Sequence, residues 1–196
     1  AGITSPGNAP SAITVGAVET HQTNIRSDDA TAWFSSRGPT WYDGFQKPDV
    51  VAPGSHLVSN TSTLSAIYKQ YPGGIVKAYG FMPFFKMSGT SMSAPVVSGV
   101  VALMLEASTA HGKPLSPNAI KAILQYTATP LATADLLTQG AGEINAAGAV
   151  ALAAAIDPTK KVGRTWLATG VNEYTTIAGE TLAWGQRVVW GDRVVW

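Results

Sequence analysis

The run from Met87 to Leu105 constrains this chain more than any other stretch. It reads Met-Ser-Gly-Thr-Ser-Met-Ser-Ala-Pro and passes straight into Val-Val-Ser-Gly-Val-Val-Ala-Leu-Met-Leu, so a turn becomes a nearly all-apolar helix. A helix apolar on almost every side must be buried, which predicts that residues 90–108 thread the centre of a domain. Pro95 suits the first turn, where a missing N–H costs little. A serine at such a junction lies at the positive end of the helix dipole, beside N–H groups able to hold an oxyanion. Attack of a serine hydroxyl on a carbonyl creates such an oxyanion, and Ser91 is therefore the candidate nucleophile. The competing reading is that Thr90 or Ser91 only caps the helix.

Around this run the chain alternates strand and helix signals. Ile13–Val18 is rich in β-branched residues and bounded by Pro10 and polar residues 19–31, as in a buried strand. Further strands are expected at Ala32–Ser35 and at Asp49–Ala52, the latter ended by Pro53-Gly54. Residues 55–86 show no helical period. With Pro72-Gly73-Gly74 and the apolar cluster Tyr79, Phe81, Met82, Phe84 and Phe85, they read as a long connection or insertion close to the nucleophile. Gly112 and Pro114 stop the central helix. Ser116 then caps, and Pro117 opens, a one-sided surface helix to about Ala128, with Ile120, Ile123, Leu124 and Tyr126 as its apolar positions. An alanine-rich helix is expected over Asn145–Ala155, closed by Asp157-Pro158.

The segment Gly89-Thr90-Ser91-Met92-Ser93-Ala94-Pro95 resembles the nucleophile motif of the subtilisin-like serine proteases, the subtilases (peptidase family S8). The likeness continues in Ser5-Pro6-Gly7-Asn8-Ala9-Pro10, Ile13-Thr14-Val15-Gly16-Ala17, Phe34-Ser35-Ser36-Arg37-Gly38-Pro39, Lys47 to Gly54, and Gly140 to Asn145. It implies an α/β chain, part of a subtilisin-like three-layer fold with a mostly parallel sheet and a buried central helix. A subtilase triad runs Asp, His, Ser along the chain. In that family the Asp and His motifs and the oxyanion asparagine precede the region matched here. His21, His56 and His111 all follow the first matched motif, so the chain-order rule argues against any of them as the base. Asn8 belongs to the later Ser-Pro-Gly-Asn turn and is not that oxyanion donor.

The resemblance therefore implies residues 1–158 as the C-terminal portion of a subtilase catalytic domain. It implies a secreted protease, inert as this polypeptide alone and active with a companion chain or segment that carries Asp, His and Asn. By the same likeness Ser88 and Gly89 border the substrate backbone, Thr90 supports the oxyanion region, and Met92 is an oxidisable thioether beside the nucleophile. Thr4, Ser5, Pro6 and Gly7 contribute the floor and wall of the pocket for the residue before the cleaved bond. The small Thr4 implies room there for a large apolar side chain. No cofactor is required; calcium enters as a structural ion, for which Asp28, Asp29 and Asp43 are the candidate acids. Arg37, in a Gly-Pro turn, is expected to bond several carbonyls.

Composition excludes other classes. With 45% hydrophobic and 13% charged residues the chain builds a core. A net charge of +1 with scattered basic residues does not suit nucleic acid, and no apolar run free of polar breaks is long enough to span a membrane. The absence of cysteine removes disulfides and thiolate chemistry. Asn60-Thr61-Ser62 is a sequon, and Gly140-Ala141-Gly142 lacks the third glycine of a dinucleotide site.

Residues 159–196 form a separate β-prone, Trp-rich tail. Trp184-Gly185-Gln186-Arg187-Val188-Val189 repeats as Trp190-Gly191-Asp192-Arg193-Val194-Val195, followed by Trp196. Its tryptophans either pack on the catalytic portion or on another chain, or they form a binding element. With that element as the working part, the alternative to a protease is a non-catalytic assembly or surface-binding fragment that keeps the subtilase frame.

Overall fold

The computed structural model describes residues 2–77, 83–109, 112, 114–161 and 163–188. Tyr79, Phe81 and Met82 of the apolar cluster, His111, and the tail from Val189 through Trp190 to Trp196 lie outside the described residues. The central sheet is built on β1 (Val15–Glu19), which pairs in parallel with β3 (Val50–Pro53), Val15 opposite Val50 and Ala17 opposite Ala52. β2 (Ala30–Thr31) pairs antiparallel with the end of β1. The strand expected at Ala32–Ser35 is instead a turn. The Ala32 N–H donates to Ala17 O, the Ser35 N–H donates back to Ala32 O, and Ser35 Oγ accepts from Ala17 N.

Period-two alternation gives the sheet its two faces. Val50 and Ala52 face a core of Val97, Val100, Met104, Ile123, Leu124 and Leu152, supplied by α2 (Thr90–Ser108), α3 (Pro117–Thr127) and, beyond the short α4 (Leu136–Gln139), α5 (Ala146–Ala155). Val18 and Val51 meet Leu131 on the opposite face. Beyond β3, Val51 N–H donates to Gly142 O at 2.9 Å and Ile144 N–H to Val51 O at 2.9 Å, so the Gly140–Asn145 motif continues the sheet.

Both later helices begin where their caps predict. Ser116 Oγ accepts from Ala119 N and Asn145 Oδ1 from Gly148 N. α3 is buried more widely than a one-sided helix, because Lys121 and Gln125 also turn inward. α2 departs from expectation in two ways. Its cap is Gly89, without a side-chain bond, so neither Thr90 nor Ser91 caps it. Pro95 falls in its second turn, leaving the Ser91 carbonyl without an N–H four residues on. Nor is the helix enclosed: its inner face packs on β1, β3 and α5, while Ala94, Ser98, Ala102 and Leu103, the last 51% exposed, form an open face. By length and composition it is the one described helix apolar enough to cross a membrane.

Residues 55–86 are not an unstructured connection. β4 (Leu57–Asn60), β6 (Phe84–Met87) and β5 (Ile75–Val76) form an antiparallel sheet in the order β4-β6-β5, with α1 (Ala66–Gln70) and a 3-10 turn (Pro72–Gly74) between β4 and β5. Asn60 of the sequon is exposed at the end of β4.

In the tail, β7 (Tyr174–Ile177) and β8 (Glu180–Ala183) make a hairpin turned at Ala178 and Gly179. Trp184 follows it and takes the packing alternative. It is 5% exposed and belongs to the main core, edge-on to Tyr126. Its ring lies against Gly148, where any Cβ would meet the indole within 3.0 Å, and its Nε1–H donates to Thr175 Oγ1. Thr175 Oγ1 in turn accepts from Asn145, the α5 cap. Trp166 is 39% exposed. Trp184→Ala should therefore cost about 3–5 kcal/mol in urea unfolding, as for other buried aromatics.

A buried acid cluster ties the loop after β1 to the sheet. Arg26 Nη2 lies 2.8 Å from Glu143 Oε1 and Arg26 Nε 3.2 Å from Asp29 Oδ2, while Glu180 accepts from the backbone N–H groups of Arg26 and Ser27. Burial, and then the Asp29 carboxyl, pushes Glu143 up to about 8 against the pull of Arg26. The folded state thus keeps a proton that the unfolded chain releases near pH 4.5. Stability contributed by this group is full below that pH and falls as pH rises to about 8. Glu143→Gln should flatten the decline of Tm between pH 5 and 8.5 relative to the wild type; equal slopes would refute this assignment.

Candidate active site

The turn before α2 is shaped by Gly89. Its φ and ψ of 156° and 156° lie in a region essentially reserved for glycine. The Gly89 N–H donates to Gly54 O at 2.8 Å, and the Met92 and Ser93 N–H groups return to Gly89 O, which fixes the first turn of the helix. Ser91 is left exposed in that turn. Its N–H is among the first four of the helix, which have no intrahelical acceptor.

Two cavities meet at Ser91. One, of about 420 Å³, is bounded by Ile3, Thr4, Pro6 and Gly7 on one side and by Thr90, Ser91 and Ala94 on the other. Another, of about 570 Å³, lies on the Met92 side. Among the predicted residues, the structure thus gathers Thr4, Pro6, Gly7 and Thr90 around Ser91 in one cavity and places Met92 in the other. Ser5, Ser88 and Gly89 line neither. Ser88 instead accepts from the His56 N–H. Ile13 to Gly16, Ser36 and Pro48 also line the first cavity. Sequence reasoning did not place them there, although their motifs flank the predicted wall.

The wall is anchored from behind. Asn8 N–H donates to Thr4 O, and Thr14 Oγ1 donates to Gly7 O at 2.5 Å. Thr14 N–H donates to Asp49 Oδ2 at 2.7 Å. Asp49 holds two buried lysines, Lys47 Nζ at 2.7 Å and Lys121 Nζ at 2.9 Å, and these also donate to Ala12 O and Pro10 O. Burial pulls the Lys47 ammonium below its ordinary value, with Asp49 opposing.

No histidine is hydrogen-bonded to Ser91 among the described residues. His56 Nδ1 lies 3.1 Å from Ser55 Oγ and 3.8 Å from Glu19, and His21 is exposed. The Ser55 hydroxyl, then the His56 ring, holds Glu19 below the usual carboxylate range despite some burial. Arg37 is exposed, and its backbone bridges to Gly2 in place of the expected guanidinium contacts. The proposed calcium acids are engaged otherwise: Asp28 accepts from Thr23, Asp29 pairs with Arg26, and Asp43 accepts from Thr40. Among the described residues no three acids or histidines converge on a point that could hold a metal ion. Chemically the site offers an exposed hydroxyl, an N–H in the first turn of a helix and an adjoining pocket.

The sequence model of the Subtilase family matches residues 1–153. The chain is 38% identical over 148 residues to the serine protease AprX of Bacillus subtilis (strain 168), covering 76% of this chain and 31% of AprX. It is 44% identical over 107 residues to pyrolysin of Pyrococcus furiosus, covering 55% of this chain and 6% of pyrolysin. Among solved structures, fervidolysin from Fervidobacterium pennivorans, a keratinolytic enzyme related to subtilisin, aligns with a TM-score of 0.56 at 26% identity, over 74% of this chain and 20% of fervidolysin. The patellamide maturation protease PatA aligns with a TM-score of 0.53 at 26% identity, over 76% of this chain and 45% of PatA. The chain thus spans less than a third of AprX.

Proposed function

Because this chain belongs to the subtilase family, we propose that it carries the nucleophile of a secreted serine endopeptidase, with Ser91 forming the acyl-enzyme. The observation that carries this reading is the exposed Ser91 in the first turn of α2, sharing a cavity with Thr4, Pro6 and Gly7. Ser91 Oγ attacks the scissile carbonyl and its proton passes to a histidine. The Ser91 N–H and an asparagine side chain hold the oxyanion, and the expelled amine takes the proton from the imidazolium. Water then hydrolyses the ester and restores the hydroxyl. The histidine, the aspartate that orients it and the asparagine come from a companion chain or segment. Two features support that partner. No histidine is bonded to Ser91 among the described residues, and the open face of α2 begins at Ser91 and continues through Ala94, Ser98 and Ala102.

The pocket of Thr4 to Gly7 takes the residue before the cleaved bond, and its volume suits a large apolar side chain. Neither nucleic acid nor membrane is needed as a partner, and the mechanism requires no cofactor. The test is reconstitution. This polypeptide alone should not hydrolyse casein, and co-expression with a companion segment bearing the Asp, His and Asn motifs should restore hydrolysis. Proteolysis by the purified chain alone, or none after co-expression of a soluble complex, would refute the assignment.

A further inference from the structure

We infer that the second copy of the six-residue repeat fastens the chain on itself: Trp190 docks in an apolar groove between α3 and α5 and holds the tail against the helix that carries Lys121. The first copy shows how such a unit attaches. Trp184 buries its ring in the core and donates its indole N–H to Thr175 Oγ1. The Gly185 N–H donates to Ala128 O at 2.7 Å and the Gln186 N–H to Tyr126 O at 2.9 Å, which lays the backbone against the end of α3. Glycine suits so close an approach, because a Cβ at Gly185 would meet Ala128 O at 3.0 Å and Pro130 Cγ at 3.1 Å. The second copy brings the same Trp-Gly pair six residues on, as Trp190-Gly191.

A groove of about 410 Å³ opens where the first copy gives way to the second. Ala122, Ile123 and Tyr126 of α3, Leu152 of α5, and Trp166 and Val188 line it. Tyr126 serves both places, since its ring meets Trp184 edge-on at 6.2 Å and also lines the groove. Trp166, Leu167 and Val188 leave 39%, 44% and 40% of their surface uncovered there, apolar area that an indole would remove from water. Reach selects Trp190 as the occupant: it stands two residues past Val188, a span of about 7 Å at most. Chemistry agrees, because Thr165 and Glu173, which also line the groove, offer oxygen acceptors for the N–H that a buried tryptophan must satisfy. Tethering so close also gives Trp190 an effective concentration that a free partner does not match. The docked ring braces α3, whose Lys121 holds Asp49 and, through Thr14, the cavity wall at Gly7.

The test is limited trypsin cleavage of the soluble complex bearing Ser91→Ala, so that only the added protease cuts. Arg187 and Arg193 flank Trp190 and report whether the tail is held. Burial of an indole changes the docked-to-free ratio by roughly tenfold or more. Trp190→Ala should therefore raise the cleavage rate at both arginines by about tenfold or more. Ala122→Glu, which places a carboxylate in the groove, should do the same in a complex whose circular dichroism is unchanged. Trp190→Phe should keep most of the protection, and Trp196→Ala should alter it by less than about twofold. Cleavage rates unmoved by Trp190→Ala would overturn the inference, as would protection lost on Trp196→Ala and kept on Trp190→Ala. Protection that grows with protein concentration would put the tryptophan of a second copy in the groove and overturn the intramolecular assignment. If Ala122→Glu does not fold, the fluorine spectrum of the complex labelled with 5-fluorotryptophan decides. The resonance lost in Trp190→Phe should show the small solvent isotope shift of a buried ring, and the full shift of the free amino acid would contradict docking.

Discussion

Replacing Ser91 by alanine in the assembled protease is expected to lower kcat by about 10⁶-fold, the scale that loss of the nucleophile carries in subtilisin. The loss should fall on kcat and leave KM nearly unchanged, because the hydroxyl acts on the reacting carbonyl while the cavity walls bind the substrate. Folding should be unaffected. Ser91 is exposed and makes no capping bond, so alanine removes no structural contact from α2. The combination of an intact circular dichroism spectrum, an unchanged KM and a collapsed kcat distinguishes a nucleophile from a helix-start serine of structural value. A loss below about tenfold would mean that other groups carry the reaction.

Asp49→Ala is expected to destabilise the protein by about 3–5 kcal/mol, a large share of a typical domain's stability. Asp49 is the anion between Lys47 and Lys121, and all three side chains are nearly inaccessible. Its removal leaves two buried ammonium groups facing one another without their shared carboxylate, held by acceptors that include the carbonyls of Pro10 and Ala12. The cost is mostly that of the unpaired charges. Converting Lys47 to methionine in the Asp49→Ala background should recover a good part of it, because an apolar group of similar shape needs no partner. The same substitution reaches the site, since Asp49 holds the Thr14 N–H and Thr14 holds Gly7 in the cavity wall. A raised KM in the assembled enzyme should accompany the loss of stability. Urea unfolding decides the matter, and a change under 1 kcal/mol would show that the cluster is not what holds this corner together.

Features that depend on a few neighbouring residues were legible in the sequence. The caps at Ser116 and Asn145 lie three residues from the N–H groups they accept, and both helices start there. The span of α2 followed from its nearly all-apolar run. Ser91 and the Thr4 to Gly7 wall were marked by motif, and the cavity brings most of them together. What escaped depends on distant partners. β2 is two residues long and exists because the end of β1 pairs with it, so its own composition carried no signal. β4 and β6 are separated by a helix and a turn, which hid their pairing. Lys47 and Lys121 look like surface residues until Asp49 is seen between them. The second cavity at Ser91 was invisible for the same reason, since Leu57, Ile67 and Phe85 meet only through that pairing.

Intact mass spectrometry of the soluble complex, under denaturing conditions with and without a fluorophosphonate probe, tests the central claim most directly. The account predicts two polypeptides, or one longer chain, with a single probe mass that peptide mapping places on Ser91 and that Ser91→Ala abolishes. Folded complex without label, or label on another residue, would contradict the assignment of Ser91 as the nucleophile.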